Sequence, residues 1–132
     1  MHASSAVAPS DAETTVAELR QVVQQFVTQR NWRQFHSPKN LSMSLAIEAA
    51  ELMEHFQWLT VEESRAVSAD SARREAVAEE LADVLSYALA LANEMQIDLS
   101  TALRDKMVKN ARKYPAEEFF GRFGPNSPPA AP

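Results

Sequence analysis

The sequence predicts an all-α protein, a small helical bundle, and three observations carry that prediction. Apolar residues recur at helical spacing in long runs, no stretch alternates apolar and polar residues convincingly, and both glycines lie beyond Lys113. Tight turns between strands need glycine, and the helical body has none to make them. At 132 residues the chain can enclose one core but not two. The expectation is a helical domain over 13–115, flanked by a flexible tail at 1–12 and a proline-rich tail at 116–132.

Residues 1–12 are small and polar with Pro9, as in a frayed terminus. Ser10 and Glu13 have capping-box spacing. Val16, Leu19, Val22, Val23, Phe26 and Val27 then recur with helical period, predicting an amphipathic helix from about 13 to 30. The stretch NWRQFHSPKN, 31–40, reads as a loop: Pro38 pushes Ser37 toward extended backbone, and Asn40 offers an N-cap to the next helix.

That helix is expected over Leu41–Trp58, LSMSLAIEAAELMEHFQW. Thr60 with Glu63 repeats the capping-box pattern and starts a short helix from 61 to about 68. Ser68–Ser71 is a turn, and the longest helix follows over 72–96, polar at first and then almost wholly apolar. Asp98 can cap a last helix, Leu99–Lys113, which Pro115 stops. Residues 121–132 hold four of the seven prolines and both glycines. Helices that are apolar on most sides must be central in a bundle or shared between subunits. So few helices cannot cover them, so an oligomer is expected.

Thirteen basic residues against eighteen acidic give a net charge of -5. Such a surface has no general affinity for polymeric nucleic acid or an anionic membrane. There is no cysteine, which removes disulfides, thiolate catalysis and Cys-type zinc sites. No basic residue precedes Arg20 and no apolar run resembles a secretory signal or a membrane span. A soluble, cytoplasmic protein is expected.

The chemistry lies in acids on apolar helices. The Leu41–Trp58 segment carries Glu48, Glu51 and Glu54 and no Lys or Arg, whereas a solvated helix face mixes both signs of charge. Glu80 and Asp83 open the apolar half of the longest helix. Each of the pairs Glu48/Glu51 and Glu80/Asp83 is spaced i, i+3, so both carboxylates of a pair lie on one side of their helix. Glu79 competes with Glu80, but Glu80 shares a face with Asp83, Tyr87 and Leu91. Two carboxylates about 4 Å apart repel by roughly 4 kcal/mol at an effective dielectric near 20, and desolvation costs several kcal/mol more for each ion. Either cations neutralise such a group or the acids point outward into water.

All-oxygen ligands suit Mg²⁺, Mn²⁺ or Ca²⁺. A ferritin-like iron site would want Glu-x-x-His, and His55 has Leu52 at the glutamate position. Because Mg²⁺ completes its shell with substrate phosphates, an acidic cage suggests phosphate-ester or anhydride chemistry. Basic residues for phosphate come late, at Lys106, Lys109, Arg112 and Lys113, with Asn110 and Tyr114 among them. They also suit a solvated face or the helix C-terminal dipole. Trp32, Phe35, Trp58 and Tyr87 can stack on a base or anchor helix ends, and His36 can hydrogen-bond a base or phosphate.

Taken together, EAAEL at 48–52, EELADVL at 79–85 and the KxxxNxxxYP run from Lys106 to Pro115 resemble the MazG-like all-α nucleoside triphosphate pyrophosphohydrolases. With NWRQFHSPKNL and the ending HFQW, the chain is most similar to the dCTP pyrophosphatases among them, over about residues 16–115. The resemblance implies Mg²⁺-dependent cleavage of a deoxynucleoside triphosphate between its α- and β-phosphates, with Mn²⁺ as a substitute ion. It implies Glu48, Glu51, Glu80 and Asp83 as catalytic metal ligands. Trp32, Trp58 and Tyr87 fall to the base and sugar, and Asn40, Lys106, Asn110 and Tyr114 to the phosphate and sugar side, with His36 kept as a binding candidate on its own chemistry. It also implies dimers paired into a homotetramer, with sites built partly from neighbouring subunits.

The chain departs from that pattern at Ala49 and Ala50, where close relatives carry glycines. His55 replaces an apolar residue, and Val23 stands where some relatives use a histidine against the base. Base preference stays open between dCTP, a modified dCTP and a relaxed or dUTP/dTTP-type specificity. A non-catalytic helical oligomerisation module, its acids merely solvated, is the alternative outside enzymes.

Overall fold

In the computed structural model, residues 7–122 and 124 are described, and all their regular structure is helical. Residues 1–6, 123 and 125–132, half of the expected N-terminal tail and about half of the C-terminal one, lie outside the described residues. Six α-helices follow in order: α1 (Val16–Gln29), α2 (Pro38–Glu54), α3 (Val61–Ala66), α4 (Ser71–Met95), α5 (Leu99–Lys113) and α6 (Ala116–Phe119). The chain divides into two compact units, Met1–Gln96 and Ile97–Pro132. Among the described residues no helix is long and apolar enough to cross a membrane.

Helix starts follow the capping chemistry. The Thr15 hydroxyl accepts the Glu18 N–H at 3.2 Å, while a Glu18 carboxylate oxygen accepts the Thr15 N–H at 2.6 Å. That reciprocal pair begins α1 at Val16, three residues later than the apolar periodicity alone suggests. Ser10 and Glu13 bracket only a single 3₁₀ turn. Thr60 and Glu63 cap α3 in the same reciprocal way, and Asp70 caps α4.

The start of α2 differs from the expectation. Ser37, not Asn40, is the N-cap: its Oγ accepts the Asn40 N–H at 3.1 Å, and Pro38 occupies the first helical position. Proline's fixed φ suits that position, and its missing N–H is one the helix leaves unpaired anyway. The Asn40 side chain instead donates to the Phe35 carbonyl at 3.1 Å, holding the 3₁₀ turn Trp32–Phe35 against the helix start. At its other end α2 stops at Glu54, and residues 55–58 form turns rather than a last helical turn.

In the first unit α2 and α4 pack along each other and α1 lies against α4. Val27, Leu41, Val67, Leu89, Ala90 and Ala92 are its buried apolar residues. The α1–α4 contact is locked by polar bonds across 73 residues of sequence: Arg20 Nε donates to Asn93 Oδ1 at 2.9 Å, and the Asn93 amide donates back to the Arg20 carbonyl at 3.1 Å. In the second unit the Asp98 carboxylate accepts the Thr101 N–H at 2.9 Å and starts α5. Where the sequence reads as tail after 115, one helical turn occupies Ala116–Phe119, its Phe119 ring edge-on to Tyr114 at 5.3 Å.

Among the described residues, two helix ends place a residue other than glycine in left-handed backbone. Asn31 (φ 51°) follows α1 and Gln96 (φ 53°) terminates α4. Asparagine tolerates this region, whereas glutamine gains nothing locally and meets the Cβ penalty. Gln96→Gly is expected to raise stability by about 0.5–1 kcal/mol, the relieved strain being partly offset by glycine's extra freedom in the unfolded chain. Urea unfolding of the two proteins measures it, and an unchanged or lower midpoint would remove the claim of strain.

Candidate active site

The spacing i, i+3 on α2 and on α4 turns each acid pair toward the contact between those helices. One carboxylate oxygen from each of Glu48, Glu80 and Asp83 lies within 4.8 Å of the others. Glu48 and Glu80 are half-buried and Asp83 is exposed. Glu51, also exposed, stands outside this trio but shares a hydrogen bond with Glu48. The helix contact thus brings all four predicted acids into one electrostatic group, with Glu80 rather than Glu79 in it. Glu54 is exposed and lies outside the trio.

Burial pushes the Glu48 carboxyl above the usual carboxylate range. The shared hydrogen bond with Glu51 and the negative charges of Glu51, Asp83 and Glu80 push it further the same way. Two oxygens in the group, Glu48 Oε2 and Glu80 Oε2, are buried with no hydrogen-bond partner. An unpaired buried carboxylate oxygen is costly, and only a cation or a donor repairs it. With carboxylates as the only donors, the trio fits a hard, oxygen-preferring divalent cation, and lacks the nitrogen or sulfur that zinc and iron sites use.

Next to the trio lies a cavity of about 560 Å³. Its wall is the apolar face of α1, from Leu19 to Val27, and its floor is the stretch of α4 from Ala82 to Ala90, including Asp83, Ser86 and Tyr87. Trp32 and His36 close one side. The Trp32 ring stands edge-on to Phe26 at 5.7 Å, and the Arg30 guanidinium lies 3.7 Å from the centre of the same Phe26 ring. The volume suits a nucleoside-sized ligand. Asp83 belongs both to the acid trio and to the cavity lining, so the charged and apolar parts are contiguous.

Of the other predicted binding residues, Trp32, His36 and Tyr87 line the cavity, whereas Asn40 and Trp58 do not. Asn40 spends its amide on the loop carbonyl, and Trp58 is 87% exposed. Lys106 and Asn110 lie on α5, and Tyr114 is its C-cap, in the second unit. Sequence reasoning read the α1 stripe as the apolar face of an amphipathic helix, with Val23 alone placed near the base, and it missed Ser86 and the approach of His55 to Glu80. The spacings Asp83–Ser86 and Glu48–His55, each on one helix face, are the signals that point to them.

Residues 43–122 match the MazG-like family. The chain belongs to that family. The match takes in both acid pairs of this MazG-like protein and stops short of α1, Trp32 and His36. A dCTP pyrophosphatase 1 from Homo sapiens is 42% identical over 104 residues, 79% of this chain and 61% of that protein. One from Bos taurus is 40% identical over 104 residues, 79% of this chain and 62% of that protein. The matched segment therefore spans only 61% and 62% of these curated relatives. Among solved structures, a pyrophosphatase from Archaeoglobus fulgidus is 39% identical with a TM-score of 0.72, covering 82% of this chain and 99% of that one.

The raised Glu48 carboxyl has a consequence for stability. An acid whose carboxyl is raised on folding holds its proton more tightly in the folded than in the unfolded chain. The folded state is therefore progressively disfavoured as pH rises from the ordinary carboxylate range through the raised value. Glu48→Gln removes this cost. In EDTA at neutral pH the variant is expected to melt above the wild type, the gap closing as pH falls toward 4. A divalent cation held by the acids is expected to raise the melting temperature of the wild type, and that rise should vanish in the variant. A lower melting temperature in EDTA would contradict the geometry described for Glu48.

Proposed function

We propose that this protein is a Mg²⁺-dependent nucleoside triphosphate pyrophosphohydrolase, cleaving a deoxynucleoside triphosphate to the monophosphate and pyrophosphate. The observation that carries this reading is the pair of buried, unpartnered oxygens on Glu48 and Glu80, beside an acid that also borders a nucleoside-sized cavity. Names among its relatives, dCTP pyrophosphatase and pyrophosphatase, support the same reaction. Glu48, Glu51, Glu80 and Asp83 are the proposed catalytic and metal-holding residues, with Mg²⁺ the physiological ion and Mn²⁺ a substitute. When bound, the metal supplies positive charge for the phosphates and for the leaving pyrophosphate.

The chain's own side chains do the rest. The α1 wall, Trp32 and Tyr87 take the base and sugar out of water, and the Phe26 ring limits how Trp32 can turn. Asp83, at the edge between cavity and acids, sets where base recognition ends and the phosphates begin. Water adds to the α-phosphorus and the bond to the bridging oxygen breaks, the electron pair leaving on pyrophosphate. The attacking water's proton passes to a carboxylate; Glu51 and Asp83 are the exposed members of the group and so exchange it with solvent. Asn40, Trp58, Lys106, Asn110 and Tyr114 complete the proposed substrate contacts in an assembly of several copies.

That assembly is a homotetramer, a dimer of dimers. Met43 and Ile47 on α2, and Leu81 and Leu85 on α4, are apolar pairs at i, i+4, all about half exposed among the described residues. Second copies are their proposed cover, and light scattering reporting a monomer at micromolar concentration would remove this part.

dCTP or a modified dCTP is the proposed substrate. A broader tolerance is the second reading, favoured by the apolar cavity wall at Val23, which offers a base no hydrogen bond. Pyrophosphate release from each dNTP separates the two. Asp83→Asn should lower kcat/KM by at least about 100-fold, the scale of losing a central electrostatic element. A folded wild type that hydrolyses no triphosphate with Mg²⁺ would overturn the enzyme reading.

A further inference from the structure

His55 occupies the position after α2 ends, two helical turns beyond Glu48 and on the same face. Its Nε2 stands 3.7 Å from Glu80 Oε1, with both side chains largely shielded from solvent. That separation exceeds a direct hydrogen bond and is an ion-pair approach. The two oxygens of Glu80 therefore have different surroundings: Oε1 faces the imidazole, and Oε2 is buried without a partner. His55 also borders a second, smaller cavity of about 280 Å³ with Val67, Arg73 and Val77. The cation-competent trio comprises Glu48, Glu80 and Asp83 and does not include His55.

We propose that His55 is a positioning residue for the acid cluster, engaging Glu80 Oε1 so that Oε2 is presented, together with Glu48 and Asp83, to a divalent cation. A glutamate has three side-chain torsions, and an unrestrained carboxylate at this contact would exchange its two oxygens freely. A neighbour that favours one orientation lowers the ordering cost of binding the ion. Outer-shell partners of this kind typically contribute 10- to 100-fold in metal affinity, roughly. The inference rests on the metal-holding role proposed above for the acids.

Mn²⁺ alone, without nucleotide, is the probe, titrated into the full chain by calorimetry and followed by electron paramagnetic resonance. His55→Leu removes the polar approach, and His55→Asn keeps an amide too short to reach Glu80. Both are expected to weaken Mn²⁺ binding by about 10-fold. His55→Gln puts an amide N–H near the former Nε2 position and should restore most of the affinity. Wild-type protein with bound Mn²⁺ should show no ¹⁴N coupling, because His55 acts on a ligand and is not one. Leu and Asn variants that are folded by circular dichroism and bind as tightly as wild type would overturn the proposal. So would a Gln variant as weak as Asn, or a ¹⁴N coupling lost in His55→Gln. Should the Leu variant not fold, the Asn and Gln pair and the wild-type spectrum decide. A wild type that binds no Mn²⁺ sinks the metal reading itself, a separate and earlier failure.

Discussion

Like charges drawn together at a helix contact are the constraint on which this molecule turns. Glu48 and Glu80 are half-buried where α2 meets α4, with Asp83 and Glu51 adding negative charge at short range. Apolar residues of similar volume would stabilise such a contact, since desolvating ions is costly and like charges repel. The fold holds the acids there because the helices that carry them are apolar on nearly every other side. Their packing offsets the local repulsion, and it leaves two carboxylate oxygens without protein partners. That mismatch is the feature that connects the fold to its chemistry.

α4 serves two purposes along one stretch. Glu80 and Asp83 address α2, while the residues from Ala82 to Ala90 floor the cavity under α1. Charged and apolar functions meet at Asp83, so a ligand with a flat apolar end and an anionic end matches the geometry. The Arg20–Asn93 bonds hold α1 over the floor at the end of α4 remote from the acids. Being reciprocal and partly shielded from water, they fix direction as well as distance. Much of the α1 wall stays open, with Val22 and Phe26 among its exposed residues.

Much of the architecture was legible from the sequence. Helical periodicity, the caps Thr60 and Asp98 and the stop at Pro115 locate helices without reference to anything distant. The misjudged α2 start came from weighing Asn40 as a cap above Pro38 at the first helical position; both are local signals, and the proline's fixed φ prevailed. The acid group was legible for a different reason. Acids at i, i+3 on otherwise apolar helices make little sense on an exposed face, and the choice of Glu80 over Glu79 followed from its shared face with Asp83. The cavity was not legible. Leu19, Val22, Val23 and Phe26 have the same spacing whether they fill a core or line a space, because periodicity reports which side of a helix is dry and not what lies against it.

The sequence by itself determined an all-helical chain, the MazG-like resemblance, and the i, i+3 acid pairs, since each of these is written in short-range spacing. Only the tertiary structure decided which carboxylate oxygens come within reach of one another and which of them lack a partner. Only it brought His55 to Glu80 and opened the space beside Asp83. The reason is geometric: α2 and α4 are separated by a connecting helix, and no local pattern specifies the register in which two distant helices meet. That register comes from the packing of α2 on α4, to which each contributes a buried leucine, Leu41 and Leu89, and it sets the distances on which the chemistry depends.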